Sequence, residues 1–218
     1  MQNPLVSCIM LTANRHKYVP LAIDNFLQQD YTHTELIIVD DGQESVYALI
    51  PDDARIKYFY DQPIGTIGAK RNYACARTTG EIIMHWDDDD WYAPDWVSRQ
   101  VGYLNASKAD MCGIEHVHFF SPVSDTFWTG TALNRNKGYR QQWLSGATLA
   151  YWKTFWEAHP FEHRNTGEDD GFITKHGAKV YAHDYIDGFV ALLHPHNTTT
   201  KYFEHPREKR RHEKPSTL

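Results

Sequence analysis

Four consecutive aspartates, Asp87-Asp88-Asp89-Asp90, directly follow the apolar run Ile82-Ile83-Met84-His85-Trp86. Neighbouring carboxylates repel by about 3 kcal/mol per pair at ~5 Å in an effective dielectric of about 20. A fold gathers four of them at a strand end where water or a cation compensates them. Hard oxygen ligands at this density suit Mg²⁺ or Mn²⁺, which take one or two carboxylates and complete the shell with phosphate oxygens and water. The alternative is a solvated acidic turn, and Trp86 and Trp91, which bracket the run, weigh against it. Two further acidic groups stand out: Asp40-Asp41 before Gly42, and Glu168-Asp169-Asp170 after Gly167. Acids in a first helical turn are also favoured by the helix dipole alone, so the last set keeps a purely structural reading.

The elements that must position these acids alternate between strand and helix. Residues 5–11 and 35–39 are apolar runs that read as buried strands, with a third strand at 55–60 and a fourth at 81–86. Pro20 suits the first turn of a helix carrying Val19, Ile23, Phe26 and Leu27, and Pro94 opens another with Trp96, Val97, Val101 and Leu104 on its buried side. A short helix is expected at 44–50, and a longer one at 68–79, closed by Gly80. This alternation implies an α/β fold with a layered, mainly parallel sheet, in which ligands sit beyond the carboxyl ends of the strands. Asp40-Asp41 and Asp87 to Asp90 fall at two such ends. After about residue 110 the pattern changes to a smaller antiparallel portion, with strands at 111–120 and 126–133 joined through Ser121-Pro122 and a polar turn at 134–138. Short helices are expected at 151–158 and at 169–176, the second ended by Gly177.

A chain of 218 residues with 41% hydrophobic content suits a single domain with a substantial core. Aromatics at 14% favour a binding function, because rings stack on sugars and bases as well as packing cores. The formal charge of −6 argues against a general phosphate-backbone binder. Cys8, Cys75 and Cys112 are widely spaced, and Cys8 and Cys75 lie within apolar patterns, which reads as buried thiols in a reducing compartment. The N-terminal residues lack the layout of a signal peptide, and no run reaches the roughly 18–20 apolar residues of a membrane span. A cytoplasmic location is expected, with peripheral attachment to a membrane left open. Residues 205–218 form a basic, polar tail that reads as a solvated terminus, and its approach to a membrane or nucleic acid stays open.

Five blocks occur in order: Pro4-Leu-Val-Ser-Cys-Ile-Met10, Ile37-Ile-Val-Asp-Asp-Gly42, Gly68-Ala-Lys-Arg-Asn-Tyr-Ala74, Gly80-Glu-Ile-Ile83 and Asp87-Asp-Asp-Asp-Trp-Tyr-Ala-Pro94. Together they resemble the donor half of family 2 glycosyltransferases of the GT-A (Rossmann-like) fold, over roughly residues 4–100. Gly167-Glu-Asp-Asp-Gly-Phe172 resembles the acidic motif of that family's acceptor half. Gln43, in place of the usual Ser, and Lys70, in place of the more usual Ala, depart from the pattern without replacing any of its carboxylates. The resemblance implies one GT-A domain over residues 1–204, with a donor half to about 108 and an acceptor half from about 109.

It further implies a nucleotide-sugar donor, a UDP-sugar in the first instance, and an acceptor glycan, lipid or other hydroxyl compound. Asp41 would meet the nucleotide base, Asp87 the ribose or the metal's water shell, and Asp89 the Mn²⁺ or Mg²⁺ that bridges the two phosphates. A one-residue shift to Asp88 or Asp90 stays open, because the run is aspartate throughout. Thr12 and Asn14, after the first strand, and Lys70 and Arg71, at the start of a helix, join the nucleotide-sugar candidates. For Lys70 and Arg71 the alternative is ordinary solvated helix charge. Asp169 would be the general base of an inverting transfer, with Glu168 binding the acceptor or orienting Asp169. His194, after the apolar run 189–193, would complete the metal shell or be an uninvolved surface histidine. Residues 143–147 would line the sugar pocket. Two other functions compete. One is a non-catalytic nucleotide-sugar or carbohydrate-binding module. The other is a sugar nucleotidyltransferase, which would want a Gly-rich loop where Thr12-Ala-Asn-Arg15 has no glycine.

Overall fold

The computed structural model describes residues 3–130 and 143–197. The expected turn at 134–138, the end of the strand expected to reach 133, and the basic tail lie outside the described residues. The first strand, β1 (Val6–Thr12), is almost wholly buried, as its continuous apolar run requires of a strand covered on both faces. It pairs in parallel with β2 (Thr34–Asp40) and with β4 (Ile82–His85), and β2 pairs in parallel with β3 (Ile56–Tyr60). Beyond β4 the main sheet continues through β9 (Ala150–Trp152), β6 (Met111–Gly113) and β10 (Val180–Ala182), in the order β10-β6-β9-β4-β1-β2-β3. Only β9 runs against its neighbours.

Period-two alternation along these strands divides the core into two layers. Val6, Cys8, Met10, Leu36, Ile38, Ile82 and Met84 face one side, where α1 (Val19–Leu27) and α3 (Trp96–Ser107) supply Ile23, Phe26, Trp96 and Leu104. Ile9, Ile37, Val39 and Ile83 face the other, against Ala74 and Cys75 of α2 (Ile67–Cys75) and Phe172 and Ile173 of α5 (Glu168–Thr174). Pro at the start of α1 and the Thr66 hydroxyl, which accepts from Ala69 N at 3.2 Å, set two of the helix starts. All three cysteines are buried thiols, and burial pushes each of them up.

A second, four-stranded sheet has the order β5-β11-β7-β8, built from β5 (Trp91–Tyr92), β7 (Val117–Ser121), β8 (Thr126–Gly130) and β11 (Phe189–Leu192). The β7–β8 hairpin is antiparallel as expected, whereas β7 and β11 are parallel. Four expected elements differ. The 111–120 strand is two strands in two sheets, split where Ile114 N turns to donate to the Thr148 hydroxyl at 3.2 Å. Tyr151 and Trp152 belong to β9, so the helix α4 spans only Lys153–Ala158. At 44–50 a single 3-10 turn, Tyr47–Leu49, replaces the helix. The helix expected to run to 79 stops at Cys75, whose carbonyl is taken by the Thr78 hydroxyl at 2.7 Å.

Candidate functional site

The chain leaves β1 towards β2 and β3, then returns to place β4 on the opposite side of β1. Loops at the carboxyl ends of β1 and β4 therefore diverge, which opens a crevice at this switch in strand order. A cavity of about 680 Å³ lies there. Thr12, Arg15, Asp41, Lys70, Arg71 and Asp87 to Asp90 line it, together with Trp143, Gly146, Glu168, Asp169 and Asp170. All the residues singled out as donor or acceptor groups meet here except Asn14 and His194. Asn14 is exposed, adopts a positive φ of 56° and accepts a hydrogen bond from Gln43 N at 2.8 Å, so it shapes the Asp41-Gly42-Gln43 turn instead.

Each neighbouring acid has its own task. Asp40 is fully buried and accepts from Gly42 N, Val46 N and the Tyr58 hydroxyl at 3.0, 2.9 and 2.7 Å. It holds the turn that leaves Asp41 on the rim. Asp41 forms an ion pair with Lys70 and accepts from Ile64 N at 3.2 Å, and Lys70 also donates to the Thr12 carbonyl at 2.5 Å. Lys70 and Arg71 are only 7% and 9% exposed, which removes their reading as solvated helix charges. Arg71 reaches across to Glu168 at 3.3 Å and lies 2.8 Å from His85 Nδ1. It thereby joins α2 to α5. Burial, together with the Arg71 charge, holds His85 neutral, well below its usual range.

The aspartate run is not a solvated turn, since Asp88, Asp89 and Asp90 are all buried. Asp87, Asp89 and Asp90 each offer an oxygen, and these lie within 4.8 Å of one another. An all-oxygen donor set of this compactness fits a hard divalent cation. Asp88 faces Arg15 instead, with Oδ1 2.7 Å from Nη1. Burial raises the Asp88 carboxyl to about 7 against the opposing pull of Arg15, and Asp89 and Asp87 add to the rise. Asp90 Oδ1 accepts from Leu192 N at 2.9 Å, which ties the run to β11. Asp89 Oδ2 accepts from Arg15 Nη1 at 2.5 Å, His194 Nε2 at 3.0 Å and Asn197 Nδ2 at 3.1 Å.

His194 therefore reaches the run, with Nε2 3.0 Å from Asp89 Oδ2. His196 N donates to its Nδ1 at 3.1 Å, so the neutral ring carries its proton on Nε2 and donates it to Asp89. Stacking on Tyr18, with ring centroids 4.2 Å apart, fixes the ring further.

On the acceptor side, Asp169 Oδ1 accepts from Asp170 N at 2.9 Å, and its Oδ2 packs against Gly146, where a Cβ would lie 2.0 Å away. Burial raises the Asp169 pKa, with Arg71 opposing. Asp170 does more than favour a helix start, because it accepts from the Trp143 indole N–H at 2.6 Å. Sequence reasoning missed Arg15 and Asn197, and it had Gly146 only as part of the 143–147 stretch expected at the sugar pocket. Arg15 had a signal in its place, just past the carboxyl end of β1. The close approach of Gly146 to Asp169 had none, because it exists only in three dimensions.

The model of the family described as glycosyl transferase family 2 matches residues 7–160. Among curated proteins, the chain is 39% identical over 101 residues to the putative colanic acid biosynthesis glycosyl transferase WcaA of Escherichia coli K12, covering 44% of this chain and 36% of that one. Among solved structures, S. aureus TarS 1-349 in complex with UDP-GlcNAc aligns with a TM-score of 0.70 at 16% identity, over 90% of this chain and 61% of that one. The mannosyltransferase PcManGT of Pyrobaculum calidifontis, in complex with GDP-Man and Mn²⁺, aligns with a TM-score of 0.67 at 18% identity, over 88% and 57%. The match thus spans well under half of the curated relative and about three fifths of each solved chain. The fold is the GT-A fold of these glycosyltransferases, and with its family match over residues 7–160 the chain belongs to glycosyl transferase family 2.

Proposed function

We propose that this chain transfers a sugar from a nucleotide-sugar, a UDP-sugar in the first instance, to an acceptor hydroxyl with inversion at the anomeric carbon. The observation that carries this reading is the cavity that faces the Asp87–Asp90 run with Asp169. In it the base sits on Asp41, and Lys70, held between Asp41 and the Thr12 carbonyl, keeps that carboxylate in place. Asp89, with Asp87 and Asp90, holds Mn²⁺ or Mg²⁺. When bound, that ion stabilises the charge growing on the nucleoside-diphosphate leaving group. Asp169 takes the proton of the attacking hydroxyl, and its raised pKa makes it a stronger base than an exposed aspartate. Glu168, paired with Arg71, orients the start of α5 and hence Asp169. The donor and acceptor halves act as one unit, because strands from both share the main sheet.

Relatives bear on the donor and the ion. The TarS structure carries UDP-GlcNAc and the Pyrobaculum enzyme GDP-Man with Mn²⁺. The acceptor is a glycan, lipid or other hydroxyl compound. No helix among the described residues is long and apolar enough to cross a membrane. The test is release of UDP from UDP-sugars with Mn²⁺. Wild type should release it slowly with water as acceptor. Asp89→Ala should abolish release while the protein stays folded, and Asp169→Asn should lower turnover by about 10²–10⁴ with donor affinity unchanged. Equal UDP-sugar binding in EDTA would refute the metal role, and a product of retained configuration would refute the assigned base. Pyrophosphate exchange with UTP would indicate a nucleotidyltransferase, and binding without turnover a lectin-like module.

A further inference from the structure

Arg15 stands where the acidic run meets the crevice. Its Nη1 lies 2.7 Å from Asp88 Oδ1 and 2.5 Å from Asp89 Oδ2, and its Nη2 donates to the His196 carbonyl at 2.9 Å. One guanidinium thus bridges two carboxylates and clasps the segment that carries His194 and Asn197. We propose that Arg15 is the resident cation of the aspartate run in the donor-free protein, and that Arg15 and a divalent ion exclude one another from Asp89. This rests on the metal site proposed above.

The argument starts from the valence of a single atom. A carboxylate oxygen offers about two lone-pair sites. Asp89 Oδ2 already takes three donors, from Arg15, His194 and Asn197. An ion binding through that oxygen must displace one of them. His194 and Asn197 are neutral and can turn aside at little electrostatic cost, but a guanidinium beside a divalent ion on one oxygen meets direct charge repulsion. The Arg15 side chain is 15% exposed and lines the cavity, so it has room to leave and a cavity to enter. A nucleoside diphosphate in that cavity would give the displaced guanidinium the bidentate partner that it favours. Arg15 leaving Asp89 also loosens its hold on His196, so ion binding is coupled to the 194–197 segment.

Mn²⁺ alone, without nucleotide, tests the proposal, with the free ion read by electron paramagnetic resonance and backbone exchange at 194–197 by hydrogen–deuterium mass spectrometry. Arg15→Met should bind Mn²⁺ at least tenfold more tightly than wild type, and its 194–197 amides should already exchange fast. In wild type, saturating Mn²⁺ should raise exchange in the same segment. Arg15→Lys keeps the charge but cannot span Asp88, Asp89 and His196 together, so it should bind more tightly than wild type and less tightly than the Met variant. Equal affinity in wild type and Arg15→Met, or Mn²⁺ binding to wild type without a change in exchange, would overturn the exclusion while leaving the metal site standing. So would an Arg15→Lys variant identical to wild type, since Arg15 would then act only as a nearby charge. No Mn²⁺ binding by any of the three proteins would remove the metal site and this proposal together.

Discussion

Replacing Gly146 with alanine would place a methyl carbon 2.0 Å from Asp169 Oδ2 and 3.0 Å from its Cγ. Non-bonded carbon and oxygen do not approach closer than roughly 3.2–3.4 Å, so one group must retreat by more than about 1 Å. The glycine backbone is poorly placed to yield, because its carbonyl accepts from His85 Nδ1 at 2.6 Å and the glycine itself is buried. The carboxylate is the free end of a side chain and moves instead. Misplacement of a catalytic group by ~1 Å costs about 10²-fold in rate, or about 2.7 kcal/mol of transition-state stabilisation. Folding should change little, since the glycine has no positive φ and alanine lowers the entropy of the unfolded chain by about 0.4–1 kcal/mol. The assay is UDP release from a UDP-sugar with Mn²⁺, beside UDP affinity by calorimetry and a melting curve. Gly146→Ala should lose about 10²-fold in turnover with UDP affinity and Tm nearly unchanged. In an Asp169→Asn background the same change should cost almost nothing more, because both act through one carboxylate. Turnover near the wild-type rate, or a full extra loss in the double variant, would refute the reasoning.

Asp41→Ala should weaken UDP binding by about 10–100-fold, the worth of one hydrogen bond to a charged group, and leave Mn²⁺ affinity intact, as calorimetry would show. Arg71→Met should lower stability by about 3–5 kcal/mol, because it strands buried Glu168 without its partner. Adding Glu168→Leu should recover much of that loss in urea denaturation. His183 is pushed down to about 4 by burial, where it bonds Gln100 and stacks on Tyr103. Since the folded pKa is the lower one, its contribution is complete above the unfolded value of about 6.5 and shrinks as pH falls towards 4, by up to about 3 kcal/mol. Urea midpoints of His183→Gln should therefore vary less between pH 7 and pH 4.5 than those of wild type.

What was legible in the sequence follows from how locally each feature is specified. Strands β1, β2 and β4 are buried on both faces, so their apolar runs are continuous, and β2 and β4 run out at or just before aspartates. α1 and α3 could be read from Pro20 and Pro94 and the apolar stripes that follow. β9 could not, because Tyr151 and Trp152 suit a helix face equally well, and their strand pairing depends on β4 and β6, far away in sequence. The break at Ile114 depends on a hydroxyl 34 residues later. The acids of the site were visible because carboxylates at strand ends are conspicuous. The groups that hold them are ordinary residue types whose significance comes from distance, as with Arg15 beside Asp88 across 73 positions. Asn14 and His194 were singled out by position along the chain, and the hydrogen bonds they accept from Gln43 N and His196 N come from backbone that the sequence does not mark.

The late arrival of β9 has a consequence for the chain as it is made. Through residue 149 the parallel set β3-β2-β1-β4 ends in β4, whose Ile82, Ile83 and Met84 are fully buried once folding is complete. Until residues 150–152 insert between β4 and β6, that strand is an open, apolar edge with unpaired amides, the kind of surface on which nascent chains add to one another. β6 has no place in the main sheet before the same event, so its residues, although made earlier, must wait. A truncated chain that ends at the halfway point would therefore expose a sticky edge, not a self-contained nucleotide-binding module.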